Sequence, residues 1–425
     1  MMLGIFLGSL FVALIFGVPI AFALMLSAVA MMFSMDMFDS QIVAQNLING
    51  ANNFPLMAIP FFILAGEFMN AGGISKRIVE FAMAWVGHIR GGLGYVAIIA
   101  AVLFSGLSGS AVADTAALGA ILIPMMVARG YNKNVSTGVI CAAGIIACVI
   151  PPSIPMIIYG VVSGASITQL FMGGIIPGII MGLGLIVTWF IISRKEKMEL
   201  PPKMTMKQKA IATKDAVWAL MMPVIIIGGL RGGVFTPTEA AVVAAVYALF
   251  VGVVIYRQIK LKDIYENLIA AGKTTSTVMF VAAAAMVAAW LITVANVPND
   301  MADLLGSLTE SPLLLMLVIN IILLAVGMVM DLTPAILIFT PVLLPIIKSA
   351  GIDPVYFGLV MIINLTIGLI TPPVGTVLYV GCGISGISMV DVVKGIWPFL
   401  IVHAIVLLLL ILFPSIIIVP LHWFV

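Results

Sequence analysis

Charged residues are scarce in this chain: they make up 8% of its 425 residues, whereas hydrophobic residues make up 63%. An ordinary soluble domain carries about 25% charged residues, so the composition excludes that class and predicts a membrane protein. Many apolar runs reach about twenty residues, which is enough for roughly ten membrane spans. The formal net charge of +2 is small and gives no indication of nucleic-acid binding.

Cysteine and histidine are also scarce, with three residues of each type. The cysteines lie in apolar segments and are interpreted as packing residues, not as a disulfide or zinc framework. The sequence has no metal-ligand spacing, phosphate-binding loop or dinucleotide fingerprint, so we expect neither an enzyme nor a cofactor or transition metal. The N-terminal apolar run has no basic segment before it and no cleavage site, so we expect a retained span.

An internal repeat is the strongest pattern in the sequence. When residues 124–177 are aligned with residues 345–398, a shift of 221, Pro or Gly coincides seven times without a gap, where chance gives about 0.6. The pairs are Pro124/Pro345, Gly130/Gly351, Pro151/Pro372, Pro152/Pro373, Gly160/Gly381, Gly174/Gly395 and Pro177/Pro398. Duplicated halves whose helices are broken by Pro and Gly are typical of secondary transporters with a site at the repeat interface.

The positions of Lys and Arg predict the topology. Residues 194–214 hold seven of the nineteen Lys and Arg residues, so the positive-inside rule makes them a cytoplasmic linker between repeats at 1–193 and 215–425. Two other basic loops contain Lys76, Arg77, His88, Arg90 and Arg257, Lys260, Lys262, Lys273. Residues 297–311 are acidic and lack Lys and Arg, as an external loop should.

These loop assignments predict an all-α membrane protein built as an inverted repeat. Residues 92–127 form a re-entrant hairpin from the cytoplasm, and residues 312–348 form one from outside. Broken helices follow at about 134–165 and 355–386. The N-terminus is then cytoplasmic and the C-terminus periplasmic, and the two halves have opposite orientations.

Four short segments interrupt the hairpins and the broken helices: Ser105–Asp114, Val149–Pro155, Met330–Pro334 and Leu369–Thr376. If the hairpins reach the middle of the membrane, all four segments meet there. Proline lacks a backbone N–H, so the Pro–Pro pairs free carbonyl groups, which are tolerated at that depth only where they line a cavity or bind a ligand. Carbonyl and hydroxyl oxygens suit a small cation such as Na⁺, and helix N-termini suit a carboxylate.

These four segments, together with the residues just before Leu369, supply the predicted binding residues. For Na⁺ we expect backbone or side-chain oxygens of Ser105, Ser108, Gly109, Ser110, Asp114, Pro151, Asp331, Thr333, Asn364, Thr366 and Thr371. For the substrate we expect Pro152, Ser153, Pro372, Pro373, Gly375 and Thr376. Asp114 and Asp331 are acids at membrane depth, where ionisable residues usually have a function.

Structural roles are an alternative for several residues. The serines of the first segment would serve equally as small residues that allow close helix packing. Asp331 would alternatively cap the helix that follows it, and Asn364 and Thr366 would pair with a neighbouring helix. Glu239 completes a capping box, so we assign it a structural role. Glu67 lies near a cytoplasmic helix end and is expected to reach the membrane interface.

The chain resembles the large membrane subunit of the tripartite ATP-independent periplasmic (TRAP) transporters over essentially its whole length. The segments that carry the resemblance are SGLSGSAVADTAALGAILIPMM from Ser105, IPPSIPMIIYG from Ile150, GGVFTPTEAA from Gly232, DLTPAILIFTPVLLPI from Asp331 and GLITPPVGTVLYV from Gly368. The sequence is most similar to the sialic acid branch of that family, so N-acetylneuraminate is the expected substrate. Import of a C4-dicarboxylate or another carboxylate is the alternative.

The resemblance implies an elevator-type importer driven by a Na⁺ gradient in the bacterial inner membrane. Its expected partners are a small four-helix membrane subunit and a periplasmic binding protein that delivers an organic acid. The chain lacks the small subunit's helices as a fused N-terminal extension, so we expect that subunit to be a separate polypeptide. The hairpins and broken helices would move as a transport domain against a scaffold formed by residues 3–71 and 215–296.

Two other function classes are less well supported by the sequence. Gly106-Leu107-Ser108-Gly109 fits the G-x-S-G pattern of a serine nucleophile, and His403 lies in a later span, as an intramembrane serine protease would require. The duplication has no role in that chemistry. A channel is disfavoured because no ring-forming filter is evident.

Overall fold

The computed structural model describes residues 2–194, 198, 202–297 and 311–424, and within these ranges it contains nineteen α-helices and no β-strand. The predicted all-α architecture is confirmed for this part of the chain. Eight of its helical segments are long and apolar enough to cross a membrane, by length and composition. Most of the predicted external loop, residues 298–310, and parts of the basic linker, residues 195–197 and 199–201, lie outside the described residues.

Before the basic linker, the described residues 2–194 form ten helices. They are α1 Met2–Ile15, α2 Ile20–Ser34, α3 Ser40–Ala51, α4 Ala58–Ala71, α5 Ile74–Val86, α6 Gly92–Ser108, α7 Ala111–Ala128, α8 Lys133–Gly144, α9 Ile154–Ser163 and α10 Ile167–Ser193. Short 3₁₀ turns at Phe54–Met57 and Ile145–Cys148 precede α4 and follow α8.

After the basic linker, the described residues 202–297 and 311–424 form nine helices. They are α11 Met206–Arg231, α12 Pro237–Phe250, α13 Leu261–Val294, α14 Pro312–Gly327, α15 Leu332–Ser349, α16 Pro354–Gly368, α17 Thr376–Ser385, α18 Met389–Leu412 and α19 Ser415–Phe424. A π-helical turn at Val251–Ile255 extends α12. The capping box predicted for Glu239 is present, because its carboxylate accepts the Thr236 N–H at 2.8 Å.

The N-terminal apolar region forms two helices, because Gly17 adopts φ +77° and Pro19 cannot continue the hydrogen-bond ladder, so α1 and α2 fold back against each other. The second basic loop is largely helical, since Lys262 and Lys273 belong to α13. An ion pair of 3.4 Å between Lys262 and Glu266, one turn apart, supports this early helix start.

The repeat detected in the sequence recurs in the helix bounds. Helices α7 and α15 begin at Ala111 and Leu332, and both their starts and their ends are related by the shift found in the sequence. The starts of α8 and α16, Lys133 and Pro354, obey the same shift, and those of the next two helix pairs depart from it by a single position. The same order of helix, turn, helix, broken helix and long helix is therefore present twice.

The contacts between the halves are reciprocal. Helix α7 packs against α17 and α9 against α15, while α8 packs against α18 and α10 against α16. Such paired contacts are the mark of a two-fold relation between repeats. Glycine allows a close approach at one of these contacts, because a methyl group on Gly395 of α18 would overlap the Asn134 carbonyl oxygen of α8.

Candidate functional site

The turn between α6 and α7 forms the first hairpin tip. Gly109 ends α6 in the left-handed conformation, with φ +62°, and Ser110 then caps α7 by accepting the Ala113 N–H at 3.4 Å. Glycine is suited to this position because a side chain at positive φ is unfavourable. The predicted tip, Ser105–Asp114, contains this turn. The Ser105 hydroxyl donates to the Ala101 carbonyl at 2.5 Å, one turn earlier in α6.

Asp114 lies fully buried directly behind the first tip. One carboxylate oxygen accepts a hydrogen bond from the hydroxyl of Ser108, whose oxygen in turn accepts the Ser110 N–H at 3.2 Å. The other oxygen, Oδ2, is buried and has no hydrogen-bond partner in the described part of the chain, and the same is true of the neighbouring Thr115 hydroxyl. A buried carboxylate oxygen without a partner is costly, so this position is suited to binding a cation.

The first tip rests on the break between α8 and α9. A methyl group on Gly109 would lie 2.8 Å from the Pro152 carbonyl oxygen and 3.1 Å from the Ile154 nitrogen, so the two backbones are in direct contact. Pro152 has no N–H for the Cys148 carbonyl four residues earlier, and the Ser153 hydroxyl takes its place, donating at 2.6 Å. The Ser153 hydroxyl therefore supplies a hydrogen-bond donor for a carbonyl group that the break would otherwise leave without a partner.

The second tip contacts the second break in a similar way. The Val374 N–H, within the break, donates to the Met328 carbonyl at the tip over 3.1 Å. The Thr371 hydroxyl donates to the Ile367 carbonyl at 2.7 Å, just before Pro372 and Pro373. Both breaks contain a cis bond between their two prolines.

Asp331 stands at the N-cap position of α15 but makes no capping hydrogen bond with its side chain. Asp331 also lines the cavity described below. At the start of α17, Gly375 adopts φ +57°, and the buried Thr376 hydroxyl oxygen has no partner in the described residues.

Asn364 pairs with a neighbouring helix, as its structural alternative predicted. Its amide nitrogen donates to the carbonyl and the side-chain oxygen of Asn320 on α14, both at 2.8 Å. Its own side-chain oxygen is buried and has no partner within the described ranges, so it is free to bind a cation. The Thr366 hydroxyl donates to the Ile363 carbonyl at 2.7 Å inside the same helix.

The four interruptions lie around one cavity of about 410 Å³. The hairpin tips contribute Ser108, Gly109, Ser110, Ala111, Val112, Ala113, Asp331, Leu332 and Thr333, and the breaks contribute Ile154, Pro155 and Leu369. Five predicted Na⁺ residues are among these. The predicted substrate residues Pro152, Ser153, Pro372, Pro373, Gly375 and Thr376 do not line the cavity, and neither do Ser105, Asp114, Pro151, Asn364, Thr366 and Thr371.

The opposite wall of the cavity comes from α4 and α13, and sequence reasoning missed it. Glu67 and Asn70 of α4 line it together with Thr274 of α13, so Glu67 faces the cavity and not only the interface. Helix α4 approaches the tip closely at Gly66, where a methyl group would lie 3.7 Å from the Ser108 Cα. The described lining contains two acids, Glu67 and Asp331, and no Lys, Arg or His.

The serine protease alternative fails on geometry. The ring nitrogen Nε2 of His403 lies 3.0 Å from the Ala142 carbonyl oxygen on α8, whereas the Ser108 hydroxyl donates to Asp114. A general base must lie within hydrogen-bond reach of its nucleophile, and these two residues have different partners.

Comparison with known proteins identifies the family. Residues 7–416 match the model of the DctM component of the tripartite ATP-independent periplasmic transporter. The chain is 54% identical to the 2,3-diketo-L-gulonate TRAP transporter large permease protein YiaN of Escherichia coli, over 99% of both chains. It is 40% identical to the sialic acid TRAP transporter large permease protein SiaM of Vibrio cholerae, over 96% of both. The predicted sialic acid branch is therefore not specifically supported.

A solved structure shares the fold. The YdaH transporter of Alcanivorax borkumensis superposes with a TM-score of 0.66, covering 88% of this chain and 87% of its own, at 14% identity. The family match and the apolar helices together support a multi-pass protein of the bacterial inner membrane. The chain belongs to the large permease (DctM) component of the TRAP transporters, which works with a small membrane subunit and a periplasmic binding protein and is a transporter, not an enzyme.

Proposed function

We propose that this permease imports a sugar-derived keto acid of the diketogulonate type, coupled to the inward movement of Na⁺. The observation that carries the proposal is the cavity bounded by both hairpin tips and both breaks. The choice of substrate class rests on the higher identity to the diketogulonate permease, 54%, than to the sialic acid permease, 40%. Import of another carboxylate by the same mechanism is the alternative.

The charge of the cavity supports coupling to a cation. An organic acid that enters a space lined by Glu67 and Asp331, without a basic side chain in the described lining, meets net repulsion. Na⁺ bound by the free Asp114 oxygen, and by the free Asn364 oxygen in the second repeat, would offset this repulsion. The carboxylate would then be held by N–H groups at the starts of α7 and α15, whose caps Ser110 and Asp331 line the cavity.

The position of the cavity supports movement of one part of the protein past another. One wall belongs to the hairpins and the broken helices, and the other belongs to α4 and α13. We assign the first group to a mobile transport domain with re-entrant hairpins and the second to the scaffold. Glu67 and Asn70 lie in the last turns of α4, next to the basic loop that the positive-inside rule places in the cytoplasm, so we assign an inward-facing state.

The polar groups of the scaffold wall suit the rest of a sugar acid. Carboxylate and amide oxygens of Glu67 and Asn70 accept hydrogen bonds from hydroxyl groups, and Thr274 lies on the same wall. A dicarboxylate would instead bring a second negative charge against Glu67. This wall therefore favours a substrate with one carboxylate and several hydroxyls.

The test is uptake into proteoliposomes that contain the chain and its small subunit, with the binding protein outside. Labelled 2,3-diketo-L-gulonate, N-acetylneuraminate and succinate are compared with an inward Na⁺ gradient and with an equal K⁺ gradient. Uptake of the keto acid that requires both Na⁺ and the binding protein supports the proposal. Preference for N-acetylneuraminate or succinate overturns the substrate class, and equal uptake with K⁺ overturns the coupling.

A further inference from the structure

A second polar cavity, of about 390 Å³, lies between α5, the start of α11 and the end of α12, away from the transport cavity. Its lining carries three basic side chains, Lys76, Arg77 and Lys214, and two acidic ones, Glu80 and Asp215. Both signs of charge therefore face one space, and the basic loops on α5 and after α12 place that space on the cytoplasmic side.

The cavity lies at the level where a membrane span ends. Helix α11 has 26 residues and is about 39 Å long, whereas the hydrocarbon core is about 30 Å thick. If Arg231 marks one surface of the hydrocarbon core, a thickness of about 30 Å corresponds to about twenty helical residues. The other surface then lies near Ile211, within one turn of Lys214. The lining also includes Trp218 and Tyr256, and these two residue types are enriched at membrane interfaces.

An apolar surface continues from the cavity toward the membrane interior. Met221 on α11 and Phe250 and Val254 on the neighbouring α12 segment are exposed by 41%, 50% and 52%. Helices α11 and α12 pack against each other, and the Tyr247 hydroxyl joins them by donating to the Trp218 carbonyl at 2.8 Å. A polar cavity beside exposed apolar side chains matches the two parts of a phospholipid, and we call this apolar surface, with Met221, Phe250 and Val254, the apolar groove.

The charged groups of the cavity differ in how firmly they are held. The Arg77 guanidinium lies 3.7 Å from the centre of the Tyr256 ring and donates to the Gly73 carbonyl at 3.0 Å, so its position is fixed. Lys76 and Glu80 form only an exposed contact of 3.9 Å. Lys214 makes no hydrogen bond or ion pair with any residue that the structure describes, so it is available to a ligand.

We propose that this cavity binds the head group of phosphatidylethanolamine. Arg77 and Lys214 hold the phosphate, Glu80 and Asp215 hold the primary ammonium, and the acyl chains lie along the apolar groove. Phosphatidylcholine has the same charges but no N–H donors for the two carboxylates. Phosphatidylglycerol has no cation for them, so the mixed charge of the lining favours ethanolamine over both.

The test is native mass spectrometry of the full-length chain released from an equimolar mixture of the three phospholipids. The expected result is preferential retention of phosphatidylethanolamine. Lys214→Ala removes one phosphate contact and should lower that retention about fivefold. Asp215→Asn removes one of the two negative charges and should reduce the preference over phosphatidylcholine. Lys262→Ala, which removes an exposed lysine from α13, is the matched control and should leave retention unchanged.

Three results would overturn the proposal. Equal retention of phosphatidylethanolamine and phosphatidylcholine would show that the carboxylates do not bind the ammonium. Stronger retention of phosphatidylglycerol would show a site selected by negative charge alone. Displacement by soluble glycerophosphoethanolamine at concentrations equal to those of the lipid would show a site for free phosphate esters, without a role for the acyl groove.

Discussion

Replacing Gly109 with alanine tests whether the first tip must contact the first break. Gly109 has φ +62°, and an added methyl group would lie 2.8 Å from the Pro152 carbonyl oxygen. An alanine in the left-handed region costs about 1–2 kcal/mol. The atoms it meets belong to the backbone and cannot rotate away, so overpacking adds about 1–3 kcal/mol or moves the tip.

Gly164 provides a matched control. It also has a left-handed φ, +72°, but no atom lies within 4 Å of the position of an added methyl group. Gly164→Ala should therefore show the conformational cost alone, about 1–2 kcal/mol. The difference between the two variants isolates the contact between tip and break.

The assay combines thermal unfolding of the purified chain, followed by tryptophan fluorescence, with uptake in proteoliposomes. We expect Gly109→Ala to lower the unfolding temperature more than Gly164→Ala. We also expect it to lower Na⁺-dependent uptake about tenfold, because a displacement of about 0.5 Å is large for a binding site. Equal unfolding temperatures and equal uptake in the two variants would refute the reasoning.

Three further substitutions test individual groups. Asp114→Asn keeps the size of the side chain and an acceptor for the Ser108 hydroxyl but removes the negative charge. A titration with Na⁺ should therefore show that half-maximal uptake needs a Na⁺ concentration at least about tenfold higher. Asn364→Ala removes the free side-chain oxygen and should weaken the Na⁺ dependence of uptake. Asn320→Ala removes only the side-chain oxygen that accepts the Asn364 amide, so it should lower stability by about 1–3 kcal/mol and leave the Na⁺ dependence unchanged. Glu67→Gln removes a negative charge from the cavity lining, so the KM for the organic acid should fall about threefold at saturating Na⁺. Glu266 is exposed and lies outside the cavity, so Glu266→Gln should leave the KM unchanged. An unchanged KM in Glu67→Gln would contradict the proposed repulsion.

Local signals allowed the interruptions to be predicted from the sequence. Pro151, Pro152, Pro372 and Pro373 fix the breaks because proline cannot donate, and the observed helix bounds lie close to the predicted ranges. The early start of α13 departs from the prediction because charged residues do not occur only in loops: pairs such as Lys262 and Glu266 also stabilise a helix.

The scaffold wall of the cavity was beyond the reach of sequence reasoning for a different reason. Glu67 was recognised as an acid in an apolar segment, but its direction depends on how α4 packs against the first tip, which no local pattern encodes. Ser153 was predicted to bind the substrate and the role of Asn364 was left open, because the hydrogen-bond partner of each depends on how the chain folds. The substrate branch required comparison along the whole chain, because the quoted motifs belong to the family as a whole.

The two repeats have matching helix bounds but differ in the side chains at the candidate cation sites. Asp114 has Ala335 as its counterpart, and the counterpart of Asn364 is Ala143. A cation beside Asp114 therefore cancels a charge that the protein already carries. A cation beside the neutral Asn364 would instead add a positive charge that the second repeat does not cancel, and this charge would counter the acids Glu67 and Asp331 of the cavity lining. The two repeats would thus hold two unlike cation sites, one that neutralises its own carboxylate and one that makes the cavity less repulsive to an anion.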